Sequence, residues 1–355
     1  MIGYYTADFR ASKPTEAADY LCLVNLNSDL PGDAGIQQAK ICWEALRELV
    51  LETREFAALL GDLREDGTRL AGAIEHRVNL IKLKDDFIAG KRKTQDGVFD
   101  TTKFMTELTV QAAVAADESG RTTDAVLLYH LAGDYENVLS IINRTLSEAL
   151  TVSIDAEPLK VEATKPSADA QASVAAGERS TFSLATVDDP IILAQNFTSL
   201  YRSNAVLLQG VRQTTQEACE ILMLLARAKH FLREGLSSPN AASFSNCLDA
   251  IKQTHLLPLL AHGDMNVIRT VAGNFSKQPQ VVARCVGDVI LWAIRALRSE
   301  RQRLASSAFE DASRRGMERD LEVMGKDLMV FAGLVKFRLP PRVFEVLAGE
   351  GGDAF

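Results

Sequence analysis

Apolar residues recur along most of the chain at steps of three and four, the period of one face of an α-helix. Tyr135, Val138, Leu139, Ile142, Leu146, Ala149 and Leu150 form one such stripe, and Ala125, Leu128, Tyr129 and Ala132 form another just before it. Gly133-Asp134 separates them. Glycine suits the left-handed residue that ends a helix and aspartate suits the cap of the next, so the pattern predicts two antiparallel helices joined by a very short turn.

The same grammar recurs elsewhere. Ala39, Cys42, Trp43, Leu46, Leu49 and Val50 make a stripe, and Phe56, Leu59, Leu60 and Leu63 read as the next, ending at Gly61-Asp62 or at Asp66-Gly67. Ala218, Ile221, Leu222, Leu225, Lys229 and Leu232 keep helical spacing, with only the lysine departing from it. Val282, Cys285, Val289, Trp292 and Ala296 do so again, and Val281, Val286, Ile290 and Ile294 make that segment apolar nearly all round, as a helix enclosed by neighbours is. From Arg298 to Lys336, charge clusters alternate with Leu321, Met324, Leu328, Phe331 and Leu334 or Val335, until Pro340-Pro341 stops the run.

Alternating strand patterns are nearly absent, so the expected fold is all-α. No fixed-length repeat overlays the chain, and helix pairs of unequal length predict an irregular, elongated α-helical solenoid of stacked antiparallel helix pairs. One segment breaks the pattern. From Thr151 to Asp188 the chain is rich in Ala, Ser and Thr, with Phe182 its one aromatic, too little apolar surface to offset the ordering entropy. The expected organisation is a helical half over 1–150, a low-complexity disordered insertion over 151–188, a second helical half over 189–348 and a flexible tail over 349–355.

Composition narrows the function. The 355 residues carry 39 basic and 47 acidic side chains, a formal net charge of −8, which gives no global attraction to phosphate backbones and argues against direct nucleic-acid binding. No apolar run approaches the roughly 18 residues of a membrane span, and MIGYYTADFR lacks the basic and apolar blocks of a secretory signal. Without that route the Asn-x-Ser/Thr triplets at Asn143, Asn196 and Asn274 read as chance. Cys22, Cys42, Cys219, Cys247 and Cys285 form no C-x-x-C and sit among apolar helical residues, so reduced, buried thiols are expected.

Catalytic signals are weak. His76, His130, His230, His255 and His262 show no metal-ligand spacing, and His130 reads as a surface or hydrogen-bonded helical side chain. Gly90-Lys91 lacks the glycine a P-loop needs five residues earlier, where Asp85 stands, and no G-x-S-x-G elbow occurs. Asp85-Asp86, Asp188-Asp189 and Glu310-Asp311 are adjacent pairs that suit caps or solvated surface, because neighbours on a helix do not face each other. Lys91-Arg92-Lys93 and Arg314-Arg315 read as solvated helix ends or loops. The expectation is therefore no catalytic, cofactor or metal site, and no enzyme; the partner-binding residues stay unassigned. A helical object of this kind offers grooves for binding other proteins.

Certain stretches are more specific. Tyr4–Leu23 (YYTADFRASKPTEAADYLCL), Leu46–Arg69 (LRELVLETREFAALLGDLREDGTR), Ala125–Leu150 and Arg319–Phe337 (RDLEVMGKDLMVFAGLVKF), in this order, resemble the C-terminal portion of the nucleoporin-interacting-component (Nic) family of inner-ring scaffold nucleoporins. The similarity runs from about Tyr4 to Leu339, excluding the insertion. It implies a structural scaffold of the nuclear pore complex at the nuclear envelope, supporting nucleocytoplasmic transport. Its partners would be other nucleoporins: flexible linker segments and the large inner-ring scaffolds. Met1 falls inside the family's helical body, so the resemblance also implies a fragment without the segment that recruits the channel-nucleoporin trimer. A tetratricopeptide or vesicle-coat adaptor is the alternative.

Overall fold

The computed structural model describes residues 2–24, 33–64, 67–78, 101–162, 183–237, 242–306 and 312–353. Helices dominate, and the contacts divide the chain into two compact units: Met1–Ile141 with Lys160–Gly210, and Ile142–Leu159 with Val211–Phe355. This division does not follow the low-complexity segment. It falls inside a helix after Ile141, within that segment after Leu159, and after Gly210, and 160–162 and 183–188 are tied to each other and to the first unit by main-chain and side-chain bonds. Val161 N donates to Asp188 O at 2.8 Å, Lys160 Nζ lies 2.7 Å from the Asp188 carboxylate, and Thr123 Oγ1 donates to Glu162 O at 3.0 Å. The middle of the expected insertion, 163–182, lies outside the described residues.

The first unit contains α1 (Ile2–Ala7), α2 (Pro14–Cys22), α3 (Asp33–Thr53), the single turn α4 (Phe56–Leu59), α5 (Thr101–Glu118) and α6 (Thr122–Leu131). It also holds the first turns of α7 (Tyr135–Thr151), and α8 (Pro190–Ser203). Cys42, Leu46, Leu49 and Val50 of α3 are fully buried, and Trp43 packs on Phe104 with ring centroids 4.2 Å apart. Ala39 lies outside the residues whose side chains are described. Asp189 caps α8, its carboxylate accepting from Ile191 N at 2.7 Å, with Pro190 in the first turn, where its missing N–H costs nothing.

The turn after α6 is a Schellman motif. Asp134 N donates to Tyr129 O at 2.9 Å and Gly133 N to His130 O at 3.0 Å, with Gly133 at φ 79°. The Asp134 carboxylate then accepts from Asn137 N at 3.1 Å and starts α7. Both roles read from Gly133-Asp134 are therefore present.

The stripe at Phe56–Leu63 is corrected. Its four leucine and phenylalanine side chains are buried, but helix lasts only to Leu59. A two-stranded antiparallel hairpin follows, β1 (Gly61–Leu63) with β2 (Arg69–Ala71), pairing Asp62 with Leu70. Gly61 ends the helix at φ 128°, and Leu70 O lies 2.6 Å from where a Cβ would stand, an approach only glycine permits. Apolar spacing over one turn does not distinguish a helix from a short buried strand.

The second unit contains the rest of α7 with α9 (Gln213–Ser237), α10 (Ser243–Gln253), α11 (Met265–Phe275), the turn α12 (Gln280–Ala283), α13 (Val286–Ala305), α14 (Ala312–Leu334) and α15 (Pro341–Asp353). Helix α9 packs on α10, and α13 packs on α10, α14 and α15. Val286, Val289, Ile290, Ala293 and Ala296 are fully buried, so α13 is enclosed on several sides. The stripe from Val282 to Ala296 is nevertheless two helices, broken at Arg284 and Cys285. Pro340 and Pro341 divide differently from expectation: helix already ends at Leu334, and Pro341 opens α15, where its fixed φ suits a first turn. The backbone of α15 continues helically to Asp353, through the stretch read as a soft tail.

Candidate functional site

The departure at Lys229 is the first clue to a built feature. Its ammonium is carried by α9 into the second unit's core and donates to three main-chain oxygens, Ala149 at 2.8 Å, Leu150 at 3.2 Å and Val152 at 2.6 Å. These carbonyls lie at and just beyond the C-terminus of α7, the negative end of its dipole, where no intrahelical donor remains. The ring of Trp292 lies 5.7 Å from Nζ. Burial pulls the ammonium down to about 8, with Arg233 adding repulsion and Asp288 opposing it, so it stays mostly charged at neutral pH. One turn on, Arg233 Nη2 donates to Ile154 O at 3.0 Å and Ala156 O at 3.2 Å. Lysine and arginine at i, i+4 thus hold residues 149–156 by their backbone.

That held segment forms one wall of a cleft of about 300 Å³. Helix α13 supplies the opposite side: Asp288, Leu291, Trp292, Arg295 and Arg298 follow one another at helical spacing. Arg342 and Val346 of α15 close the third side. Arg295 Nη1 stands 3.9 Å from the Asp155 carboxylate across the cleft. Asp288 is half-buried, and burial pushes its carboxyl above the ordinary range while Lys229 and Arg342 pull it back. The lining sets the apolar side chains of Leu291, Trp292 and Val346 among three arginines and two aspartates, in a chain whose net charge is −8. Such a lining offers a ligand both charge and apolar contact.

The residues weighed on sequence fall elsewhere. His76, His230, His255 and His262 are exposed, the last two at left-handed φ of 53° and 48° in the loop between α10 and α11. His130 is half-buried in the first unit, its Nδ1 3.1 Å from Tyr201 Oη and its ring stacked on that tyrosine. Burial, with the nearby Arg69 charge, depresses it to about 4. Asp188 pairs with Lys160, and Asp189 is the cap described above. Arg314 pairs with Glu318 at 3.0 Å at the start of α14, beside the exposed Arg315. All five cysteines are buried and none forms a disulfide. Asn143 is buried and donates to Thr215 O, out of reach of a modifying enzyme. Asp85-Asp86, Gly90 to Lys93 and Glu310-Asp311 lie outside the described residues. Among the described residues no cluster of His, Cys, Asp or Glu is fit to hold a metal, and no helix is long and apolar enough to cross a membrane.

Sequence reasoning missed the cleft. Its signal was present: Asp288, Arg295 and Arg298 break the apolar stretch in the first part of α13, and Lys229 and Arg233 stand four apart on α9.

Comparison with known proteins decides the family. The Nup93/Nic96 family model matches residues 1–346. The chain belongs to the Nup93/Nic96 family. It is 40% identical over 360 residues to "Nucleoporin NIC96" of Chaetomium thermophilum, covering 99% of this chain and 30% of that protein. It is 28% identical to "Nucleoporin NIC96" of Saccharomyces cerevisiae, covering 98% of this chain and 35% of the relative. The crystal structure of Chaetomium thermophilum Nic96 SOL superposes with a TM-score of 0.80 at 38% identity, covering 98% of this chain and 46% of that one. This Nup93/Nic96 chain therefore spans about a third of the length of the curated relatives it matches.

Proposed function

We propose that this chain is a helical scaffold segment of the nuclear pore complex inner ring, located at the nuclear envelope and supporting nucleocytoplasmic transport by binding other nucleoporins. Similarity to Nic96 over nearly the whole chain, in sequence and in fold together, is the observation that carries the reading. It favours a nuclear pore scaffold over a tetratricopeptide or vesicle-coat adaptor.

The action is equilibrium binding, not turnover. Apolar stripes buried between helices, at roughly 25 cal/mol per Å² of apolar surface, hold the helix faces in fixed positions. Partners are flexible linker nucleoporins and neighbouring inner-ring scaffolds, which insert side chains into inter-helix grooves and lose conformational freedom on doing so. Several weak contacts on one assembly give firm attachment through effective concentration. Recruitment of the channel-nucleoporin trimer is not assigned to this chain.

A pull-down with the isolated chain against recombinant linker-nucleoporin fragments tests this. Selective retention of at least one fragment is expected. A chain that is folded by circular dichroism yet retains none of them contradicts the proposal.

A further inference from the structure

We infer that the cleft between residues 151–155, α13 and α15 is a docking site for a short acidic peptide, one that seats an aliphatic side chain against Leu291, Trp292 and Val346 and sets carboxylates against Arg298 and Arg342. The inference rests on the scaffold reading above and adds to it a place and a ligand chemistry.

Four features of the second unit argue for it. The first is charge. Three guanidinium groups line the cleft against two carboxylates, in a chain with an acidic excess. Guanidinium groups present a planar fork of donors that matches a carboxylate in two-point contact, so their concentration here selects anions over cations. The second is shape. About 300 Å³ is at the lower end for binding pockets and accommodates a few side chains of an extended peptide, not a helix or a folded domain.

The third is rigidity. The wall at 151–155 is fixed from behind by Lys229 and Arg233, whose bonds to Ala149, Leu150, Val152, Ile154 and Ala156 are all to main-chain oxygen. A held wall lowers the entropy lost on binding. The fourth is an internal precedent. The Asp155 carboxylate already faces Arg295 at 3.9 Å, with 75% of its side chain exposed. It shows how a carboxylate addresses these arginines, and it competes with an incoming one. Asp288, half-buried in the lining, repels ligand carboxylates from its part of the cleft and leaves apolar contact to Leu291, Trp292 and Val346.

Fluorescence anisotropy with the full chain tests the site. The probe is a labelled octapeptide with capped ends, carrying glutamates on both sides of a leucine. Its twins carry glutamine or phosphoserine in place of glutamate. The glutamate peptide is expected to bind in a salt-sensitive manner, at least about ten-fold more tightly than the glutamine twin. Arg298→Glu and Arg342→Glu, both at exposed positions, are each expected to weaken it about ten-fold or more. Asp155→Asn is expected to tighten it by releasing Arg295, a gain that a purely structural role for Asp155 does not produce.

Equal binding of the glutamate and glutamine peptides overturns the inference. So does undiminished binding to an Arg342→Glu chain with an unchanged circular dichroism spectrum, or weaker binding to Asp155→Asn. Much tighter binding of the phosphoserine twin overturns the carboxylate assignment. The scaffold reading fails separately. If the unaltered chain binds the glutamate peptide but retains no linker-nucleoporin fragment, the cleft stands and the scaffold role falls. If an Arg298→Glu/Arg342→Glu chain retains those fragments undiminished but no longer binds the peptide, the cleft is a peptide site without a part in scaffolding, and the inference as deepening that role is overturned.

Discussion

Two titratable side chains, buried Lys229 and half-buried His130, show how a single residue serves this fold. Lys229 brings a cation to the end of α7, where three carbonyl oxygens have no other described donor. Lys229→Met keeps much of the volume and leaves those oxygens facing an apolar side chain. We expect a loss of about 2–4 kcal/mol in urea-induced unfolding, because bonds from a charged donor contribute most when buried. Lys229 also departed visibly from its stripe in the sequence, but the destination of its ammonium was not legible, since the acceptors are backbone groups about eighty positions earlier. His130 acts in the opposite sense. It folds as a neutral ring beside Tyr201 and is depressed to about 4, whereas the unfolded chain titrates near 6.5. Between those values the unfolded state binds the extra proton. Stability is therefore full above about pH 6.5 and falls by up to about 1.4 kcal/mol per unit as pH drops toward 4. Melting curves from pH 7 to pH 4.5 should show this loss, and His130→Asn should flatten that part of the profile.

Among the elements, the long stripes were legible as core, though one of them, Val282 to Ala296, hides a break between two helices. Leu46, Leu49, Leu222, Leu225, Val289 and Phe331 were read as core and are buried. Leu139 belongs to the same class, at 3% exposure, and Leu139→Ala should lower unfolding free energy by about 2–5 kcal/mol. Caps were legible only in part. Asp189 was one of an adjacent acidic pair, and its bonds to Ile191 N and Ile192 N make it the start of α8. Asp189→Ala should lower stability by about 1 kcal/mol, readable as a shift of the denaturant midpoint with an unchanged slope. Short elements defeated the pattern. Phe56, Leu59, Leu60 and Leu63 have helical spacing yet run from a single turn into a strand, because Gly61 takes a backbone conformation that spacing does not encode. The break between α12 and α13 escaped for a similar reason, since Cys285 and Val286 are as apolar as their neighbours.

For the whole molecule, class and family were the most legible features, because both depend on many residues at once. The candidate cleft was the least legible. It assembles side chains from positions near 151, 295 and 342, and nothing local in the sequence links them. Net charge also acts at this scale. With −8 overall, the chain should give no shift of duplex DNA in gel electrophoresis at micromolar protein and physiological salt, despite the arginines of the cleft, since three of them neutralise too few phosphates. The clamp on residues 149–156 has a further consequence. Every acceptor it uses is a carbonyl, a group that all twenty amino acids possess. The lining of the cleft is thereby uncoupled from what secures it, so a variant library over 152–156 should alter ligand preference while leaving the fold intact, whereas α9 admits no such freedom at its lysine and arginine.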